Sequence, residues 1–179
     1  MINHIRLLLI EFYNQNQSVI LFLGKALGLY FLWNILYHGF LIQWGINDPL
    51  TRWVAMSASK ICQIFDPKIH LENIRNGYYL YHLEKPLVWV GDPCNGLELY
   101  ILFIAFYIAL GKFFRSIKWI LFGIVGIYVL NIIRVAGLAW VVLYRPSELD
   151  FHHKYTFALV VYSWMLLVWV ITLQKKQVA

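Results

Sequence analysis

Three residue types in this chain could together carry out covalent chemistry: a cysteine, an arginine and a histidine. Cys94 follows Asp92 and Pro93, and an acid followed by proline is typical of the start of a helix. We therefore expect Cys94 in the first turn of a helix, where the positive end of the helix dipole favours the nucleophilic thiolate. The alternative is a cysteine that only packs in the interior, because free cysteines are often buried.

Arg134 interrupts a long apolar segment, and Asn131 lies three residues before it on the same helix face. A charged side chain inside a membrane span costs at least about 2.5–3.5 kcal/mol on insertion scales, so such residues usually belong to a functional site. Arg134 is therefore a candidate to stabilise negative charge. The alternative is an arginine that extends to the lipid headgroups or pairs with Glu98.

Two adjacent histidines, His152 and His153, precede the last apolar segment. A histidine can accept and donate a proton near neutral pH, although histidines at membrane boundaries are often inert. Cys94, Arg134 and this pair belong to three different predicted helices, and each lies at, or points toward, the same membrane face. This convergence favours a thiol-based site.

Composition indicates that lipid is the solvent for much of the chain. Of its 179 residues, 61% are hydrophobic and 13% charged, whereas soluble domains have roughly half and a quarter. The eight tryptophans and twelve tyrosines fit aromatic belts at the headgroups. The net charge of +6 comes from basic residues scattered around apolar spans, so nucleic acid is not a predicted partner. The two cysteines lack metal or redox spacing, and we predict neither metal nor cofactor.

The predicted fold is an all-α membrane protein with about four transmembrane helices. A bilayer takes about 20 apolar residues to cross, and four segments come close to that length or exceed it: 18–44, 94–110, 117–144 and 155–173. We expect a single integral membrane domain over residues 1–179. Within it, residues 1–17 form an interfacial N-terminal segment and residues 45–93 an outer segment.

The charges of the connections predict the orientation. Lys112, Arg115 and Lys118 lie between the second and third spans without an acid, while nearly all acids fall in residues 45–93 and 145–154. By the positive-inside rule, both termini are cytoplasmic and the acidic segments face outward. Cys94 and the histidines would then lie at the outer face of the membrane.

The outer segment has two predicted elements. An apolar stripe at helical spacing indicates an amphipathic helix on the membrane surface; its members are Val54, Ala58, Ile61, Cys62 and Phe65. Residues 78–83 and 87–90 flank Glu84-Lys85-Pro86 and are typical of a short β-hairpin.

Three motifs give this chain a family resemblance. Asp92-Pro93-Cys94-Asn95-Gly96 is similar to the Cys-x-Gly motif of the exosortase/archaeosortase family, and Asn131-Ile132-Ile133-Arg134 resembles its Asn-x-x-Arg motif. Phe151-His152-His153-Lys154-Tyr155 resembles its terminal histidine motif. The order and spacing of the three motifs agree with the family over residues 78–173. The chain length and the Cys-Asn-Gly sequence look most like the short exosortase F-type branch.

The resemblance implies a membrane cysteine peptidase and transpeptidase of the bacterial inner membrane. Such enzymes are thought to cut sorting tails from exported proteins and to transfer the product to water or an amine; each tail has a short motif, an apolar span and basic residues. By the motifs, Cys94 would be the nucleophile, Arg134 the stabilising cation and His153, with His152 as alternative, the acid and base. The supporting residues would be Asn95, Gly96 and Asn131.

Two other functions are compatible with the sequence. A thiol oxidoreductase would need a cysteine pair, and only Cys62 and Cys94 could form one; that disulfide would block the nucleophile. A membrane assembly or signalling subunit with the same fold would need no catalytic residue. Activity that survives Cys94→Ala would favour this second function.

Overall fold

A computed structural model describes residues 2–41, 48–74 and 77–174, with side chains described from residue 14 onward except at 40, 41 and 48. The helices and strands follow in chain order: α1 (Ile2–Leu36), α2 (Asp48–Phe65), β1 (Ile69–Asn73), β2 (Tyr78–His82), β3 (Lys85–Val90), α3 (Leu97–Ala109), α4 (Ile117–Tyr144), α5 (Leu149–Phe151) and α6 (Phe157–Gln174). A turn of π-helix, His152–Thr156, joins α5 to α6.

The predicted all-α membrane fold is confirmed. Within the described part of the chain, three helical stretches are long and apolar enough to cross a bilayer: Asn14–Gly39, Phe114–Tyr144 and Pro146–Gln174. The remaining predicted span, 94–110, corresponds to α3, which is apolar but has only 13 residues. At 1.5 Å per residue α3 is about 20 Å long, shorter than the hydrocarbon layer of about 30 Å.

α1 is continuous from residue 2 but has one non-helical residue. Asn16 has φ −114° and ψ 16°, which bends the helix there. The bend falls next to the predicted boundary between the interfacial segment, 1–17, and the first span. The interfacial role of that segment stays a prediction.

The predicted hairpin is present as β2 and β3, within a sheet of three antiparallel strands in the order β1-β2-β3. The turn is tighter than the sequence suggests, because β3 begins at Lys85 and Leu83 adopts a positive φ of 54°. The sequence analysis missed β1. Ile69 and Leu71 alternate there with His70 and Glu72, which is the pattern that identifies a half-buried strand.

The predicted amphipathic helix is α2, and three of the five residues of its apolar stripe are buried against protein, while Phe65 is 71% exposed. Val54, Ala58 and Cys62 are fully buried against the sheet and α4. Ser57 meets the hydroxyl of Tyr128 at 3.2 Å near one end of the contact. Toward the C-terminal end of both helices, the rings of Phe65 and Trp140 meet edge to face. α2 therefore runs alongside α4, in the same direction.

A second core joins α3, α4 and α6. Two glycines of α4 allow the close approach: a Cβ on Gly123 would lie 2.1 Å from the Phe103 ring, and one on Gly126 would lie 2.2 Å from the Trp164 indole. The same indole donates a hydrogen bond to the Gly123 carbonyl at 3.2 Å. This packing fixes α3 and α6 against the helix that carries Arg134.

Candidate active site

Cys94 does not lie in the first turn of α3, so the predicted position is wrong by three residues. Asp92–Cys94 form a separate 3-10 turn, and α3 begins at Leu97 after Gly96. Gly96 has φ +83°, a left-handed conformation that turns the chain before the helix and that glycine adopts without strain. Because helix dipoles act mainly within the first turn, the α3 dipole has less influence on Cys94 than the sequence suggests.

Asn95 anchors the turn that carries Cys94. Its Oδ1 accepts a hydrogen bond from the Leu97 N–H at 2.8 Å, and its Nδ2 donates to Thr51 Oγ1 at 3.1 Å. Thr51 in turn donates to Asp92 Oδ1 at 3.1 Å. The first turns of α2 therefore hold both sides of Cys94. The sequence analysis missed Thr51, since no local pattern links it to residues about 40 positions later.

Asn131 binds the same turn from α4. Its side chain is fully buried, and Nδ2 donates to the Cys94 carbonyl oxygen at 2.8 Å. A Cβ on Gly96 would come within 3.3 Å of that Nδ2. The three predicted supporting residues therefore all lie next to the Cys94 backbone. Asn95 and Asn131 bind the turn through hydrogen bonds, and Gly96 packs against the Asn131 amide.

Arg134 meets His153 across the gap between α4 and the start of α6. The distance from Nη2 to Nε2 is 3.2 Å. A guanidinium can only donate, so Nε2 accepts this bond and the imidazole is neutral with its proton on Nδ1. Among the residues that the structure describes, Arg134 forms no ion pair, and the alternative pairing with Glu98 is not found there.

His152 points elsewhere. Its Nε2 lies 3.2 Å from Glu148 Oε2, and its Nδ1 lies 3.1 Å from Thr156 Oγ1. Both ring nitrogens are therefore occupied by neighbours on the same helical stretch. The geometry distinguishes two histidines that the sequence could not.

Two cavities flank the Arg134–His153 contact. The strand-side cleft, of about 220 Å³, lies between β3 and α5, and Cys94, Arg134 and His153 all line it. The helix-side cleft, of about 200 Å³, lies between α3 and α6 and includes Arg134, His153 and Gly96. Cys94, Arg134 and His153 therefore line the same cleft, although they belong to three separate elements.

The two cysteines differ in access. Both are free thiols; Cys94 is partly exposed, whereas Cys62 is fully buried. Burial raises the pKa of the Cys62 thiol to about 11, so this thiol stays protonated at physiological pH. The Cys94 Sγ lies in the strand-side cleft, 4.0 Å from the Trp89 carbonyl oxygen. Cys94 is the thiol that a ligand in the cleft can reach.

An apolar groove extends the site into the membrane-spanning region. It measures about 430 Å³, lies between α1, α3 and α6, and shares Glu98, Leu99 and Tyr162 with the helix-side cleft. Aromatic rings close its other end, where Phe106 stacks on Trp169 with ring centroids 4.1 Å apart. A long apolar ligand in this groove would have one end next to Arg134 and His153.

Comparison with known proteins gives one match. A family model described as transmembrane exosortase matches residues 8–173, which includes all three motifs. Neither curated proteins nor solved structures gave a match. The family model does not distinguish branches, so the F-type assignment stays a prediction.

Proposed function

Since the chain belongs to the transmembrane exosortase family, as its motifs predict, we propose that it is a cysteine peptidase and transpeptidase. Its substrates are exported proteins, and it removes their C-terminal sorting tails. One observation carries the proposal: Cys94, Arg134 and His153 come from three elements and line a single cleft. These are a nucleophile, a fixed cation and a proton carrier, the groups that acyl transfer from a peptide bond requires.

The first step is attack by the Cys94 thiolate on the carbonyl carbon of the scissile peptide. A carbon–sulfur bond forms, and the carbonyl oxygen becomes an oxyanion. Arg134 donates to this oxyanion, because its guanidinium lines the cleft and has no carboxylate partner among the described residues. A preorganised donor of this kind contributes about 10²–10³ to the rate.

The second step breaks the carbon–nitrogen bond. His153, which has taken up the thiol proton, transfers it to the leaving amine, a contribution of about 10²–10⁴. The tail departs and a thioester remains on Cys94. Water or an amine then attacks the thioester while His153 accepts its proton, which restores the thiolate and releases the product.

The apolar groove supports a substrate that is itself embedded in the membrane. A tail with an apolar span can lie between α1, α3 and α6, with its cleavage site at the helix-side cleft next to Arg134. The charge asymmetry of the connections supports an inner-membrane protein with both termini in the cytoplasm and this site at the outer face.

The test uses a reporter from the same organism: an exported protein that ends in an apolar span followed by basic residues. Co-expression with the wild-type chain should shorten the reporter, while Cys94→Ala should leave it uncut at the same membrane abundance. Cys62→Ala is the matched control and should retain cleavage. A reporter that is still cut by Cys94→Ala would exclude the cysteine mechanism and favour an assembly or signalling role.

A further inference from the structure

The strand β3 has one edge that no other strand covers. In the sheet order β1-β2-β3, β2 occupies the central position, and within the described part of the chain nothing pairs with the second edge of β3. Such an edge presents backbone N–H and C=O groups that can pair with another polypeptide. Leu87, Val88 and Trp89 of β3 form a wall of the strand-side cleft. The open edge therefore borders the cleft that contains Cys94.

The direction of one backbone group shows which side of β3 is available. The Trp89 carbonyl oxygen lies 4.0 Å from the Cys94 Sγ, so this carbonyl points into the cleft rather than at β2. In an antiparallel ladder, the N–H and C=O of one residue point to the same neighbour. Trp89, which faces Tyr79 across the β2–β3 pair, therefore also directs its N–H toward the cleft.

From this geometry we propose that the substrate segment before the scissile bond binds as a fourth strand on β3, with its backbone hydrogen-bonded to Trp89. The inference rests on the proposed function and specifies how the substrate is recognised. Strand addition brings a bound chain to about 4.8 Å from β3. Cys94 follows four residues after the end of β3, so a chain held on that edge passes the thiol.

The opposite side of the cleft gives this recognition a side-chain preference. Val135 and Leu138 of α4 line the cleft with Leu149. Alternate side chains of an extended segment point to one face, so every second residue of the bound segment would point toward these apolar side chains. A substrate with small apolar residues at alternate positions fits this surface, while the residues between them face the opposite side.

The main test modifies the substrate backbone and leaves the protein unchanged. Synthetic tail peptides of the reporter, reconstituted with the wild-type protein in nanodiscs, would carry one N-methyl group at each of the four residues before the scissile bond. Strand addition predicts that kcat/KM falls about tenfold or more at alternate positions and less than about threefold between them. An equal loss at all four positions, or no loss, would overturn the proposal.

A second test compares two substitutions of the same residue. Trp89→Pro and Trp89→Val both remove the indole that covers Gly77 and Gly91, but only proline removes the N–H. An edge strand tolerates proline where the N–H faces outward. We expect both variants to accumulate equally. Trp89→Pro should cleave the reporter at least about tenfold more slowly than Trp89→Val.

Two results of this comparison would contradict strand addition. Equal cleavage by the two variants would show that the Trp89 N–H does not bind substrate. Failure of Trp89→Pro alone to accumulate would show that the N–H belongs to the β2–β3 ladder. Absence of cleavage by the wild type, or cleavage by Cys94→Ala, would instead count against the proposed function.

Discussion

Arg134 Nη2 lies 3.2 Å from His153 Nε2, a contact that joins the interior of α4 to the π-helical turn before α6. The histidine nitrogen that accepts this bond has no proton, so protonation of His153 at Nε2 breaks the contact. The proposed reaction requires His153 to gain and lose a proton in each cycle. Arg134 is therefore freed to turn toward an oxyanion at the moment when His153 holds the proton for the leaving group.

The first prediction concerns the shape of the Arg134 side chain. Lysine keeps one positive charge but lacks the planar fork that donates to neutral His153 and, once His153 is protonated, to the oxyanion. We expect Arg134→Lys to accumulate normally and to lose about 10²-fold or more of the cleavage rate. Reporter cleavage measured alongside membrane abundance tests this, with Arg145→Lys, an exposed residue paired with Glu148, as the control. Cleavage by Arg134→Lys at near wild-type rate would remove Arg134 from the mechanism.

The second prediction separates the two histidines. His153 lines the cleft with Cys94, whereas His152 is bound by Glu148 and Thr156. His153→Ala should reduce single-turnover cleavage about 10²–10⁴-fold, and His152→Ala less than about tenfold. The reverse ranking would assign the proton transfer to His152.

The third prediction concerns the reactivity of the thiols. With a pKa of about 11, about one Cys62 thiol in a thousand is ionised at pH 8, and the side chain is fully buried. A maleimide should therefore label Cys94 rapidly and Cys62 only after unfolding, since the thiolate is the reacting form. Mass spectrometry of the labelled Cys62→Ala and Cys94→Ala variants assigns each rate. Rapid labelling of Cys94→Ala in the folded state would contradict the buried position of Cys62.

The fourth prediction compares two glycines that share a conformation. Gly96 and Gly111 both have positive φ, but a Cβ at Gly96 would lie 3.3 Å from Asn131 Nδ2 while one at Gly111 would meet nothing within 4 Å. Alanine at either position costs about 1–2 kcal/mol of conformational energy. Only Gly96→Ala should also disturb the Asn131 bond to the Cys94 carbonyl. We expect similar losses of thermal stability but a much larger loss of cleavage for Gly96→Ala, and equal losses of cleavage would contradict this role of Asn131.

The sequence predicts the parts of this fold that depend on local patterns. The apolar segments, the amphipathic spacing of α2 and the β2–β3 hairpin are all visible as periodicity. Arg134 could be identified as a site candidate because the free-energy cost of placing a charged side chain in a membrane span is large. Convergence of Cys94, Arg134 and the histidines could be expected because each lies at, or points toward, the same membrane face.

What the sequence could not predict depends on contacts between distant residues. The Thr51 bond to Asn95 joins α2 to the cysteine turn, and nothing near Thr51 in the chain indicates it. The choice between His152 and His153 depends on how the π-helical turn orients each ring. Cys94 was assigned to the helix because Asp92-Pro93 is a good start signal, but the left-handed Gly96 starts α3 later.

The short length of α3 has a consequence for the lipid around it. A hydrophobic segment shorter than the bilayer produces hydrophobic mismatch, which membranes relieve by local thinning. α3 falls about 10 Å short of the hydrocarbon thickness, and the polar turn that carries Cys94 precedes its N-terminal end. Thinning there would bring headgroups and water closer to the thiol. If Cys94 forms the proposed thioester, we expect shorter acyl chains to give water readier access to it.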